Sequence, residues 1–175
     1  MSPAEKSFRE ELVAVLPRLR RFAVALARSA DAADDLLQTA LERALRGEHT
    51  FERGRRVDSW MFRIIQNTWL DGHRSTARQF VPIEEIAIPG ADERNAHEAR
   101  DELRKVASAF THLPEEQRAV LALVVLEGLS YKDAAETLRI PVGTVMSRLA
   151  RGRAAIASAV RSDGLRTTLK GTDHG

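Results

Sequence analysis

Wherever apolar residues cluster in this chain they recur every three or four positions, and nowhere do they alternate in twos. Leu12, Val15, Leu19, Phe22 and Leu26 form one series and Leu37, Leu41 and Leu45 a second. Val145, Leu149 and Ile156, at offsets of four and seven, form another near the far end. A period of about 3.6 puts each series on one face of a helix, whereas a half-buried strand needs a period of two. The pattern predicts an all-α fold. Two helices lie within residues 8–45, separated by a break at Ser29 to Asp31, with Pro17 expected to kink or divide the first. A polar loop, "RGEHTFERGRRV", carries Gly47 and Gly54 as breakers, and Asp58 is placed to cap a third helix, "SWMFRIIQNTWLDGHRSTARQ".

Residues 80–99 interrupt the periodicity with Pro82, Pro89, Gly90 and a run of acids. A helix is predicted from about Glu98 to Thr111. Pro114 suits the first turn of the next, and Gly128 its C-terminal stop. The expected organisation is two small helical domains, 8–79 and 100–161, joined by a flexible acidic linker over 80–99 and followed by a disordered tail over 162–175.

The 175 residues contain no cysteine, which excludes a disulfide framework and thiolate metal sites. The longest apolar run, "AVLALVVL" from Ala119 to Leu126, is too short to span a bilayer, and the N-terminus has no signal-peptide pattern. A cytoplasmic protein without membrane insertion is expected. Net charge is only +2, but its distribution is uneven. From Arg139 to Lys170 seven basic residues face one acid, Asp163, while from Glu84 to Glu102 seven acids face two arginines. Segregation of this kind suits a polyanion-facing end beside an acidic connector, and equally a solvated helix face beside a charged linker.

The stretch "LSYKDAAETLRIPVGTVMSRLARGR" narrows the choice. Ser130 followed by Asp133 forms a capping box that opens a short helix with Ala134, Ala135 and Leu138 facing inward. Arg139 and Ile140 make a turn and Pro141 restarts the chain. This is a helix-turn-helix. A major groove about 12 Å wide admits one α-helix, and arginine can bridge guanine acceptors or clamp phosphates. Thr144 and Ser147 would meet the DNA, with Arg148, Arg151 and Arg153 supplying charge. On the third helix Arg63, Asn67 and Arg74 share a polar stripe.

The segment "LPEEQRAVLALVVLEGLSYKDAAETLRIPVGTVMSRLARGRAAI" resembles region four of extracytoplasmic-function (group IV) bacterial sigma factors of the sigma-70 family. "DAADDLLQTALERAL" together with "DSWMFRIIQNTWLDGHR" resembles their region two. The resemblance implies an alternative sigma factor, with no enzymatic activity and no cofactor or metal. Region two would bind core RNA polymerase and the minus-ten element of promoter DNA, region four would read the minus-thirty-five element, and an anti-sigma factor would regulate both. Carried over by position, Asp34, Asp35 and Gln38 match the polymerase-facing motif. Locally, the same acids equally suit the positive end of a helix. Asn67 matches the asparagine of the minus-ten helix and the loop from Glu48 to Val57 the segment that receives a flipped-out base. Arg53, Arg55, Arg56, Arg63 and Arg74 would hold the unpaired strand. The chain departs from the family pattern at Met146, where a basic residue is common, at Ala150, where an aromatic or histidine is common, and at Thr39, where an acid is common.

Two rival readings stand beside this one. A helix-turn-helix repressor, or a sigma-like mimic that sequesters an anti-sigma factor, would share the fold, but a mimic is expected to lose the DNA-facing cations kept here. A helical metalloenzyme would need clustered ligands, and His49, His73, His97, His112 and His174 are scattered without di-metal spacing.

Overall fold

Ser7 opens the first helix with a reciprocal cap. Its hydroxyl accepts from the Glu10 amide at 3.3 Å and its own amide donates to the Glu10 carboxylate at 2.8 Å. The computed structural model describes residues 7–73 and 96–170, and among these every regular element is helical. Helix α1 (Phe8–Ala27) runs as one element through Pro17, which lies on its exposed side. The expected division does not occur. A missing N–H on the solvent face costs only one intrahelical bond, and the buried stripe Leu12, Leu19, Phe22 and Leu26 holds both halves to the core. Arg28 closes α1 in the left-handed conformation (φ 61°), and Ser29 caps α2 (Ala30–Arg46) by accepting from the Ala32 amide. The buried face of α2 is mostly small, with Ala33, Ala40 and Ala44 beside Leu36, so α1 and α3 approach it closely.

Helix α3 (Val57–His73) buries Met61, Phe62 and Ile65. Its start corrects the expectation for Asp58, which sits inside the first turn rather than capping it. The aromatic rings of Phe22 and Phe62 meet edge to face, 5.2 Å apart. A second aromatic group, Phe8 on α1, Phe51 in the loop between α2 and α3, and Trp60 on α3, pins that loop to α1 and α3.

The back half comprises α4 (Ala96–His112), α5 (Glu115–Leu121), α6 (Tyr131–Leu138) and α7 (Val142–Lys170). Helix α5 widens into a π-helical turn over Ala122–Leu126, where the Glu127 amide donates five residues back to the Ala122 carbonyl at 3.0 Å. Gly128 follows at φ 70°, a conformation that favours glycine. Helix α7 crosses α5 so closely at Gly152 that a Cβ there would lie 2.6 Å from Leu121 Cδ1.

Two helical units are thus present, as expected, with two differences at their edges. Helix α4 already begins at Ala96, inside the stretch read as linker. Helix α7 continues to Lys170, through much of the stretch from 162 read as disordered tail. The rest of the linker lies outside the described residues. The units are also packed together: α5 and its π turn lie on α1, α6 lies on α3, and the buried apolar residues form one continuous core across both.

Candidate nucleic-acid interface

The helix-turn-helix is built by short-range chemistry. Ser130 accepts from the Asp133 amide at 3.1 Å and donates to its carboxylate at 2.8 Å, which starts α6. Arg139, at φ 55°, ends it, and the Ile140 amide reaches back to the Ala135 carbonyl at 3.1 Å. Fully buried Ala134 on α6, with Val145 and Leu149 on α7, fixes the angle between the two helices.

That packing turns Ser147, Arg151 and Arg153 to solvent. Arg151 folds back along its own helix, donating to the Ser147 carbonyl and hydroxyl, both at 3.3 Å, and so presents a guanidinium and a hydroxyl side by side. Arg153 has no partner among the described residues. Thr144 is half-buried. Arg148 differs from Arg151 and Arg153: its side chain is only 22% exposed and forms an ion pair with Glu116 of α5 at 2.7 Å. Met146 is exposed on the same helix.

In the front half, Asn67 is half-buried on α3 with no side-chain hydrogen bond among the described residues, leaving its amide open toward solvent. Arg53 is exposed and has no partner among the described residues. Arg56 donates to the buried Asp58 carboxylate at 3.1 and 2.6 Å, and Arg18 of α1 donates to the same group. Burial alone would raise the Asp58 carboxyl, but the hydrogen bonds from Arg56 and Arg18 outweigh it and hold the group below the usual carboxylate range. Arg55 pairs with Glu52 at 2.7 Å and with Glu136 of α6 at 3.3 Å, and Arg63 pairs with the same Glu136 oxygen at 3.2 Å. Arg74 lies outside the described residues.

On α2, Asp35 and Gln38 are exposed, Gln38 donating to Glu42 at 3.4 Å. Asp34 is held by Arg20 through two bonds of 2.8 and 3.1 Å, and that hydrogen bonding keeps its carboxyl low. The result is an acidic, fully wetted helix face.

Four residues absent from the sequence-based expectations join the halves. Glu127, whose side chain is wholly buried, accepts from Arg18 at 3.0 Å and from Arg21 at 3.0 and 3.2 Å. Arg118, only 3% exposed, donates to the Ala25, Leu26 and Leu113 carbonyls at 2.5, 3.0 and 2.8 Å. It thereby caps the negative end of α1. Burial and the neighbouring Arg28 push its guanidinium down to about 10, leaving it charged at neutral pH. A cation in phase with Leu121 and Ala122 on an apolar face was a visible sign of such a role. Among the described residues no group of His, Asp or Glu side chains is arranged to hold a metal, and no helix is long and apolar enough to cross a membrane.

Comparison with known proteins adds to this geometry. Residues 12–79 match the family described as Sigma-70 region 2, and residues 103–156 match Sigma-70, region 4. The chain is 33% identical to the ECF RNA polymerase sigma factor EcfG of Rhodopseudomonas palustris over 93% of this chain and 90% of that one. It is 38% identical to the ECF RNA polymerase sigma factor SigM of Mycobacterium tuberculosis over 80% of this chain and 70% of that one. Among solved structures, the sigma factor RpoE of Bartonella quintana, in complex with the anti-sigma factor NepR, superposes with a TM-score of 0.72 at 31% identity, covering 89% of this chain and 98% of that one.

Proposed function

Because this chain belongs to the extracytoplasmic-function group of the sigma-70 family of RNA polymerase sigma factors, we propose that its exposed cations, Asn67 and the acidic face of α2 divide promoter and polymerase binding between them. The chain is an alternative sigma factor and not an enzyme: it directs transcription initiation by bringing core RNA polymerase to promoter DNA. Within that activity, residues 8–79 serve polymerase and the minus-ten element, and residues 100–161 serve the minus-thirty-five element. The work takes place in the cytoplasm, where polymerase and chromosome meet.

The observation that carries the residue assignment is the outward face of α7. Ser147, Arg151 and Arg153 stand in solvent on a helix whose other face is locked by Val145 and Leu149. Such a helix enters a major groove with its donors leading. Thr144 approaches the backbone at its start, and Arg148 reaches a phosphate by exchanging Glu116 for it. In the front half, Asn67 can both donate to and accept from a base edge, while Arg53, Arg55, Arg56, Arg63 and Arg74 neutralise the opened strand. Asp34, Asp35 and Gln38 offer carboxylates and an amide to a basic partner helix on polymerase. The likeness to a sigma factor held by NepR supports an anti-sigma factor as the regulatory partner here.

Reconstitution tests the reading. Core polymerase with this chain should yield promoter-specific transcripts, and none with Asn67→Ala on a duplex promoter that must be melted. Arg151→Ala should weaken promoter binding and lower the salt slope by about one counterion. Absence of any promoter-specific transcript with the unaltered chain would remove the assignment.

A further inference from the structure

The outward face of α7 carries more than donors. Val142 and Met146, one helical turn apart, are 42% and 53% exposed, and Ser147 and Arg151, also a turn apart, form the row beside them. Only Gly143 and Ala150, both exposed, stand between the two rows, so no bulky side chain separates them. The polar row is already organised, since Arg151 lies along its helix with Nε and a terminal nitrogen each 3.3 Å from an oxygen of Ser147. The core contacts of this helix are made from the opposite side, by Val145, Leu149 and Gly152. Both outward rows therefore face the same ligand.

A lone exposed apolar side chain on a protein surface is ordinary. Two of them on the reading face of a DNA-binding helix are a chemical constraint, because a major groove offers few apolar groups. The edges of guanine, cytosine and adenine present donors and acceptors there, and thymine alone adds a C5-methyl group. An apolar side chain set against a donor or an acceptor strips its water and returns no hydrogen bond. Set against a thymine methyl, it removes apolar area from water on both partners. Methionine suits the task, since its unbranched thioether adapts to the position of the methyl, while Val142 at the start of the helix is stiff.

Building on the assignment of α7 to the minus-thirty-five element, we propose that Met146, with Val142 beside it, reads thymine C5-methyl groups in that element while Ser147 and Arg151 take neighbouring polar base edges and phosphates. The polar row supplies most of the attraction. The apolar row decides which base pairs are accepted. Met146 is thus a specificity-determining residue rather than an anchor.

The experiment uses holoenzyme, core polymerase with the full chain, on a duplex promoter from which it transcribes. Each minus-thirty-five thymine is replaced in turn by uracil, which lacks only the C5-methyl. At the thymine that Met146 reads, the replacement should lower affinity about three- to fivefold, as loss of one buried methyl contact requires. Met146→Ala should show the same loss on the thymine promoter and no further loss on that uracil promoter, and Met146→Leu should keep the thymine preference. The side chain is exposed, so the urea midpoint of the free chain should stay unchanged in both variants. A uracil cost equal in the unaltered chain and in Met146→Ala, or no uracil cost at any position, overturns methyl reading. Arg151→Ala separates this failure from that of the underlying assignment. A lowered salt slope beside a failed uracil test removes the methyl contact alone; an unchanged slope and affinity remove α7 from the promoter, and the methyl contact with it.

Discussion

Asp58 shows how one buried carboxylate organises its surroundings. It takes hydrogen bonds from Arg18 on α1, from Arg56 on the loop and from the Ser59 amide. These hold its carboxyl below the usual range despite burial. A carboxyl lowered in the folded state contributes stability that is present above its unfolded value, about 3.9, and is lost as pH falls through the folded value. Asp58→Asn should cost about 1 to 3 kcal/mol at pH 7, because Arg56 loses its counter-charge and Arg18 keeps only Glu127. The difference between the variants should shrink below about pH 4 as the native carboxyl is protonated. Urea midpoints at pH 7, 5 and 3 check this; a gap still undiminished at pH 3 would show that Asp58 acts through shape alone. In the sequence Asp58 reads as a helix cap, whereas the helix already starts at Val57 and takes Asp58 into its first turn. Its partner Arg18 could not be read, since nothing local links positions 40 residues apart.

At the scale of elements, the helix-turn-helix was legible because its signals are local: Ser130 with Asp133, the turn at Arg139, and Pro141 before α7. The π turn was not. A five-residue bond repeat in place of four is chosen by where Glu127 must go, and its arginines lie 109 and 106 residues earlier. Gly152 carries the other element-scale constraint. Replacing a helical glycine by alanine ordinarily adds about 1 kcal/mol of helix propensity. Here the new methyl would meet Leu121, itself only 4% exposed, at 2.6 Å, with Gln117 Cβ at 3.5 Å closing the escape. Overpacking of that degree costs about 1 to 3 kcal/mol, so Gly152→Ala should be destabilising on balance. Leu121→Ala should then cost less in the Gly152→Ala background than alone, a coupling readable in a double-mutant cycle. Additive losses would mean that α5 and α7 relax apart without strain.

At the scale of the molecule, the two units share one buried core and an ionic junction around the buried Glu127 carboxylate. Units joined in that way unfold together. Urea denaturation should therefore show one transition by both helix signal and tryptophan fluorescence, Trp60 and Trp69 reporting on the front half alone. Glu127→Gln removes the charge partner of Arg21 and one of the two carboxylates that hold Arg18, and should separate the probes into two transitions. Coincident probes in that variant would place the cohesion of the halves in apolar packing instead.

Helix after helix, and the faces of α2 and α7 that meet solvent, were determined by the sequence alone, because capping, turn residues and the spacing of apolar side chains act over a few positions. The family followed from the same local matches at two separated places. How the two helical units meet was decided only in three dimensions. Arg118 lies on the end of α1, Glu127 between Arg18 and Arg21, and Glu136 on Arg55 and Arg63. Each of these pairs joins residues that no periodicity relates. Whether a given arginine faces DNA or the other half of its own chain depends on which carboxylate folding brings within about 3 Å of it.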